Sequence, residues 1–219
     1  MRQMVNAIIL GTIFGLAVFT IGSKAEKSPF LTEAITSTSA STNKGFNFQL
    51  NLNNLLLEQN LINILYLEDV YDGRNTSSSS ALLTSNNNDI ANLLSTVYGN
   101  AVTVPFLAVE NSYSTEYVNY AKALKTKNTN AAGAAKNNLI SLNSQLGNVI
   151  SELSPQTSEA TITNLLNQHT DFILQSINDY QARDPEAVTA VVKNSSDQSV
   201  TISNYISSQI INSNPSIFK

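Results

Sequence analysis

The chain is predicted to be all-α: an antiparallel, up-and-down bundle of about six helices, set out as three helical hairpins with a four-helix-bundle-like core. Three observations carry this. Apolar residues recur at three- and four-residue steps, most cleanly at Ile162, Leu165, Leu166, Phe172, Ile173, Ile177 and Tyr180, the spacing that lines one face of an α-helix. No stretch sustains the alternation of a strand. Turn signals divide the chain after residue 48 into segments of roughly 18–28 residues with short connections, which favour antiparallel neighbours.

The first helix is expected over about Leu50 to Tyr71, ending at the Asp72-Gly73 turn signal. The serine run 77–80 reads as a loop or a frayed helix start. Ala81 to Tyr98 is the second helix, and Gly99 suits the position just past its end. Val104 to Lys127 is the third, with Pro105 in the first turn, where proline is tolerated. Ala131 to Leu153 follows, stopped by Pro155. The fifth covers about Ser158 to Ala182. Asp184 then caps a last helix with Pro185 at its first position, running to about Asn212 before Asn214-Pro215. An internal repeat fits the three hairpins 50–98, 104–153 and 158–212. LLEQN at 56–60 echoes LLNQH at 165–169, and NNNDIANLLS at 86–95 echoes LNSQLGNVIS at 142–151.

Ahead of the bundle domain, 49–219, two further segments are expected. Met1 to Ala25 reads as a signal peptide. Arg2 gives the positive start, residues 7–22 carry no charge, and Ser23 and Ala25 occupy the small-residue places of a cleavage site. Sixteen uncharged residues fall short of the roughly 20 that a membrane span needs. Membrane contact is therefore expected only through this segment, if it stays uncleaved. Residues 26–48 are polar and without an apolar period, as in a flexible lead-in. Removal of 25 residues leaves 10 basic against 16 acidic side chains. The protein is accordingly expected to be exported, either secreted or associated with the cell surface.

Composition narrows the function classes. Of 219 residues, 42% are hydrophobic, enough for a sizeable core, and only 13% are charged, so the surface is mostly neutral and polar. A net charge of −4 with no basic stripe excludes a nucleic-acid footprint. No cysteine is present, which removes disulfides, zinc thiolates and thiol nucleophiles. His169 and Asp171 lie among many serines, but Gly-x-Ser-x-Gly does not occur. A non-enzymatic role is expected, through binding or as a structural component, with a protein or surface as partner and no cofactor.

The residue that asks for an explanation is His169, the single histidine, because it falls inside the apolar stripe of the fifth helix. Superposing the hairpins sets Asn60 against it. Glu110 holds a matching place in the third helix, and Gln198 lies in the stripe of the last helix with Val191, Ile202, Tyr205 and Ile206. If odd-numbered helices run the same way, Asn60, Glu110, His169 and Gln198 form one interior polar layer. Two chemistries suit such a layer. One is a buried hydrogen-bond network that fixes register. The other is a small-ligand or metal site with Glu110 and His169 as ligands. Carboxylate-bridged di-iron bundles, however, use several Glu and two Glu-x-x-His pairs, and that motif is absent here. Tyr113, Tyr117 and Tyr120 read as core and boundary packing. Glu68, Asp69 and Asp72 read as a solvated helix end lacking the ligand spacing of an EF-hand. Asn75 and Asn194 match glycosylation acceptors.

Several stretches, in order, resemble a family of bacterial helical-bundle proteins: NNNDIANLLSTVYGNA, FLAVEN, YVNYAKA, NSQLGNVISELSP, LLNQHTDFIL and ISSQIINSNPSIF. The resemblance spans about residues 52–218 and implies an all-helical fold; it carries no activity across. Members of that family tend to have His at the positions of Asn60, Glu110 and His169, and this chain keeps only His169. The Trp-x-x-His and following Arg of the family's first helix are also missing, with Leu57 and Ile64 nearby.

Overall fold

The structure, a computed structural model, describes residues 43–219. The expected signal peptide and residues 26–42 of the lead-in lie outside the described residues. Six α-helices follow one another: α1 (Asn43–Asp72), α2 (Ser77–Tyr98), α3 (Thr103–Lys125), α4 (Thr129–Leu153), α5 (Glu159–Ala182) and α6 (Pro185–Ser213), with a short 3₁₀ turn, Asn100–Val102, before α3. No strand occurs among the described residues. The all-α up-and-down bundle is thus the observed architecture.

The connections show why the chain turns where it does. Gly73 and Gly99 both have positive φ, at 74° and 73°, a region open to glycine without steric cost. Asn128, Ser158 and Asp184 each accept a hydrogen bond from the backbone N–H three residues on, capping α4, α5 and α6. Pro185 occupies the first turn of α6, where no backbone donor is needed. The serine run 77–80 forms the first turn of α2. Ser79 is buried there and its hydroxyl donates to Asp69 Oδ2 at 3.0 Å, tying α2 to the end of α1.

One boundary differs from expectation by most of two turns. α1 begins at Asn43, inside the stretch 26–48 read as lead-in. The cause is tertiary. Phe48 meets Phe218 edge to face at 5.3 Å, and Ile211 packs 3.5 Å from where a side chain on Gly45 would begin. The C-terminus of the chain thus supplies the apolar surface that this stretch lacks by itself. Burying a Phe side chain contributes about 1.5–3 kcal/mol.

Side-chain pairs fix the directions. Gln49 and Asn53 reach Asn204 on α6, whereas Asn60 reaches Ser196, so α1 and α6 are antiparallel. Tyr71 and Tyr180 meet edge to face at 6.1 Å, which brings the C-terminal ends of α1 and α5 together. α1, α3 and α5 therefore share one direction. Backbones approach most closely within the α3/α4 and α5/α6 pairs and between α4 and α5. Small residues permit this. Ala121, Ala123, Ala132 and Ala135 are buried beside the α3–α4 turn, and a Cβ on Gly147 of α4 would stand 2.4 Å from Thr163 Oγ1 of α5. On α6, Ser195, Ser199, Ser203 and Ser207 recur one turn apart and all are buried. Side-chain hydrogen bonds tie α1 to α2, α3 and α6, and a cavity remains between the helices.

Candidate functional site: a polar-ended interior cavity

The cavity has a volume of about 90 Å³ and all six helices line it. One part of the wall is aliphatic, with Leu52, Ile90, Ile150 and Ile206. The other is polar: Gln59 and Asn63 from α1, Glu110, Tyr113 and Tyr117 from α3, Asn143 from α4, His169 and Thr170 from α5 and Ser199 from α6. Since a water-sized site needs roughly 10–15 Å³ by this measure, the space holds about six to nine non-hydrogen atoms.

Glu110 is the acidic side chain of this wall. Its side chain is buried, and Oε2 accepts from the Gln59 amide at 3.0 Å. The same amide also donates to Asn87 Oδ1 at 2.9 Å, which fixes it between α2 and α3. Burial pushes the Glu110 carboxyl up from 4.5 to about 7, with the Gln59 hydrogen bond pulling the other way. None of the four ion pairs among the described residues involves Glu110. His169 is lowered from 6.5 to about 4 by burial, opposed by the Ser195 backbone beside it. The imidazole is therefore neutral at pH 7. Its Nδ1 is buried without a hydrogen-bond partner.

Beside these two stands a connected set. Tyr113 donates to Asn143 Oδ1 at 2.5 Å, while Asn143 Nδ2 donates to Asn167 Oδ1 at 2.7 Å and to Thr170 Oγ1 at 3.1 Å. Asn143, at 1% exposure, thereby joins α3, α4 and α5. Tyr113 and Tyr117 stack with centroids 6.2 Å apart. Burial raises both phenols, so both stay protonated.

Of the four residues expected in one layer, Glu110 and His169 line the cavity together. Asn60 and Gln198 do not join them. Asn60 is fully buried but donates to Ser196 Oγ at 3.3 Å, in the α1/α6 seam. Gln198 is half-buried in the α5/α6 seam, donating to the Leu165 carbonyl at 3.1 Å and to Gln168 Oε1 at 3.2 Å. The echo of LLEQN and LLNQH superposes Asn60 on His169, yet the α1 residue that faces the cavity is Gln59, one position earlier. One residue is about 100° of helix rotation, enough to change the face. For a metal, Glu110 and His169 are two donors. No group of three His, Cys, Asp or Glu that could hold a metal exists among the described residues, and structural zinc takes four ligands.

Gln59, Asn87, Asn143 and Thr170 were not singled out from the sequence. A signal exists for two of them. Asn143 interrupts the stripe Leu139, Leu142, Leu146, and Thr170 interrupts Leu166, Ile173, each a polar residue on an apolar face. The acidic end of α1 is also less solvated than expected. Glu68 is buried, its Oε1 has no partner, and burial raises its carboxyl to about 7, partly offset by Arg74. Asp69 and Asp72 pair with Arg74, and Tyr180 donates to Asp72 at 2.8 Å. The glycosylation matches differ in setting: Asn75 is exposed in the α1–α2 turn, whereas Asn194 lies within α6.

Fold and site together define an all-α bundle with a polar-ended interior cavity. Set beside protein-family models, curated proteins and solved structures, the chain matches none of them.

Proposed function

We propose that this is an exported, non-enzymatic binding protein that takes a small molecule into the centre of its bundle. The observation that supports this most is the cavity itself. It combines an aliphatic wall with a buried carboxyl and a neutral imidazole, the make-up of a small-molecule site. A purely structural network would close on its own partners, as Tyr113, Asn143 and Thr170 do. Glu110 keeps one carboxyl oxygen that no side chain here uses, and it shares the wall with His169. Catalysis has less support, since the hydroxyls of Ser114, Thr170 and Ser199 in the wall donate to the Glu110 backbone carbonyl, Asn143 Oδ1 and the Ser195 carbonyl rather than to a side-chain base. Export rests on the reading of residues 1–25. No described helix is long and apolar enough to cross a membrane.

Thermal melts against compounds of about six to nine non-hydrogen atoms test the binding reading, because a ligand of the folded state raises the melting temperature by mass action. Ile150→Phe, which fills the aliphatic end, should abolish the rise. A flat response to the whole panel in the wild type would refute the reading. N-terminal sequencing of the native product tests export, with a start near Glu26 expected.

A further inference from the structure

We propose that the ligand of this cavity is a small organic cation, a protonated amine carrying a short aliphatic tail. The inference rests on the binding reading above and adds to it the charge and shape of the occupant.

Buried carboxylates are ordinarily paired or hydrogen-bonded, since an isolated charge in an apolar interior is strongly disfavoured. Glu110 has half of that arrangement. Oε2 is held by Gln59, which is itself anchored on Asn87, so the carboxyl has a set position. Oε1 makes no hydrogen bond to any described residue, and no Lys or Arg lines the cavity. The wall therefore supplies an oriented carboxyl with one acceptor open and no cation to meet it, and an ammonium ion placed there would favour its charged form.

The groups around the carboxyl suit a cation as well. Phe106, Tyr113 and Tyr117 lie four residues before, three after and seven after Glu110 on α3, the spacing of one helix face, and all three line the cavity. Aromatic rings attract ammonium groups through their quadrupole. The Tyr113 hydroxyl is already committed to Asn143 and its ring stacks on Tyr117, so beside the carboxyl it contributes aromatic surface and not a proton. His169 lines the same wall and is neutral, so it puts no positive charge beside the carboxyl. An anion would meet the Glu110 carboxyl and find no positive side chain. A neutral molecule would leave that carboxyl to its own desolvation. Beyond the polar wall, Leu52, Ile150 and Ile206 can take a tail of a few carbons, and the volume sets the limit at about six to nine non-hydrogen atoms in all.

The test is isothermal titration of the protein with three four-carbon molecules of similar size, five or six non-hydrogen atoms each: n-butylammonium, 1-butanol and butyrate. Butylammonium should bind at least tenfold tighter than butanol, with butyrate weakest. Glu110→Gln, which keeps an oxygen for Gln59 while removing the charge, should weaken butylammonium at least tenfold and leave butanol within about twofold. Butanol binding as tightly as butylammonium, or Glu110→Gln leaving the amine unaffected, would overturn the cation while the cavity reading stands. No binding by any of the three, together with a flat thermal panel, would overturn both. The comparison of the three molecules on the wild type needs no variant to fold.

Discussion

Asn143 offers the sharpest test of how the bundle is held in register. Its amide is buried at 1% exposure and joins three helices through Tyr113, Asn167 and Thr170. Asn143→Leu keeps the branching at Cγ and opens no void, although its bulkier methyl groups add some overpacking to the loss. What changes is hydrogen bonding. The Tyr113 hydroxyl, on a residue 7% exposed, loses its acceptor, and an orphaned buried donor costs about 1–3 kcal/mol. Thr170 can turn its hydroxyl to a carbonyl of its own helix, and Asn167 is only half-buried, so neither adds much. The expected loss is about 2 kcal/mol. For a domain of this size that lowers the melting temperature by roughly 4–8 °C. Urea unfolding of the wild type, Asn143→Leu, Tyr113→Phe and the double variant gives the decisive number. Each single change strands one partner, and the double change strands neither. The two losses should therefore fall short of additivity by about 1–2 kcal/mol. Additive losses, within about 0.5 kcal/mol, would refute the account of Asn143 as the register-setting group.

Three further outcomes follow. Glu110 titrates near 4.5 unfolded and about 7 folded, so the folded state holds its proton more tightly. Stability present below pH 4.5 erodes as pH rises through 7, by on the order of 3 kcal/mol. Urea unfolding at pH 5 and pH 8 should show that Glu110→Gln removes much of this loss, with Glu68 leaving a residual slope of the same sign. His169 has the opposite sense: its folded value lies near 4 against 6.5 unfolded, so its contribution is present above 6.5 and lost as pH falls through 4. At pH 7, His169→Ala should cost about 1–3 kcal/mol through lost packing, His169→Gln should cost less, and the deficit of His169→Ala should shrink in acid melts. Ser203 is fully buried and its hydroxyl has no partner. Ser203→Ala should be neutral or slightly stabilising in thermal melts, whereas Ser203→Leu should cost at least about 1–3 kcal/mol by overpacking.

Much of the fold was legible in the sequence, because helix face, caps and turns are local properties. The stripe from Ile162 to Ile177, the caps at Asp184 and Ser158 and the breaks at Gly73 and Gly99 depend on neighbours within a few residues. The common direction of α1, α3 and α5 follows once the connections are short. Glu110 and His169 stood out for a local reason too, as ionisable groups on apolar faces, and their shared level followed from odd-numbered helices running the same way. What the sequence left open depends on contacts between residues far apart in the chain. Whether Asn60 or Gln59 turns toward the cavity is settled by how α1 rotates against α2, α3 and α6, and one residue of register changes the face. The start of α1 at Asn43 depends on Phe218 and Ile211, more than 160 residues later. The cavity is the most tertiary feature of all. No segment encodes an interior space. It is what six packed helices leave between them, and burial there moves Glu110 and His169 away from their ordinary titration.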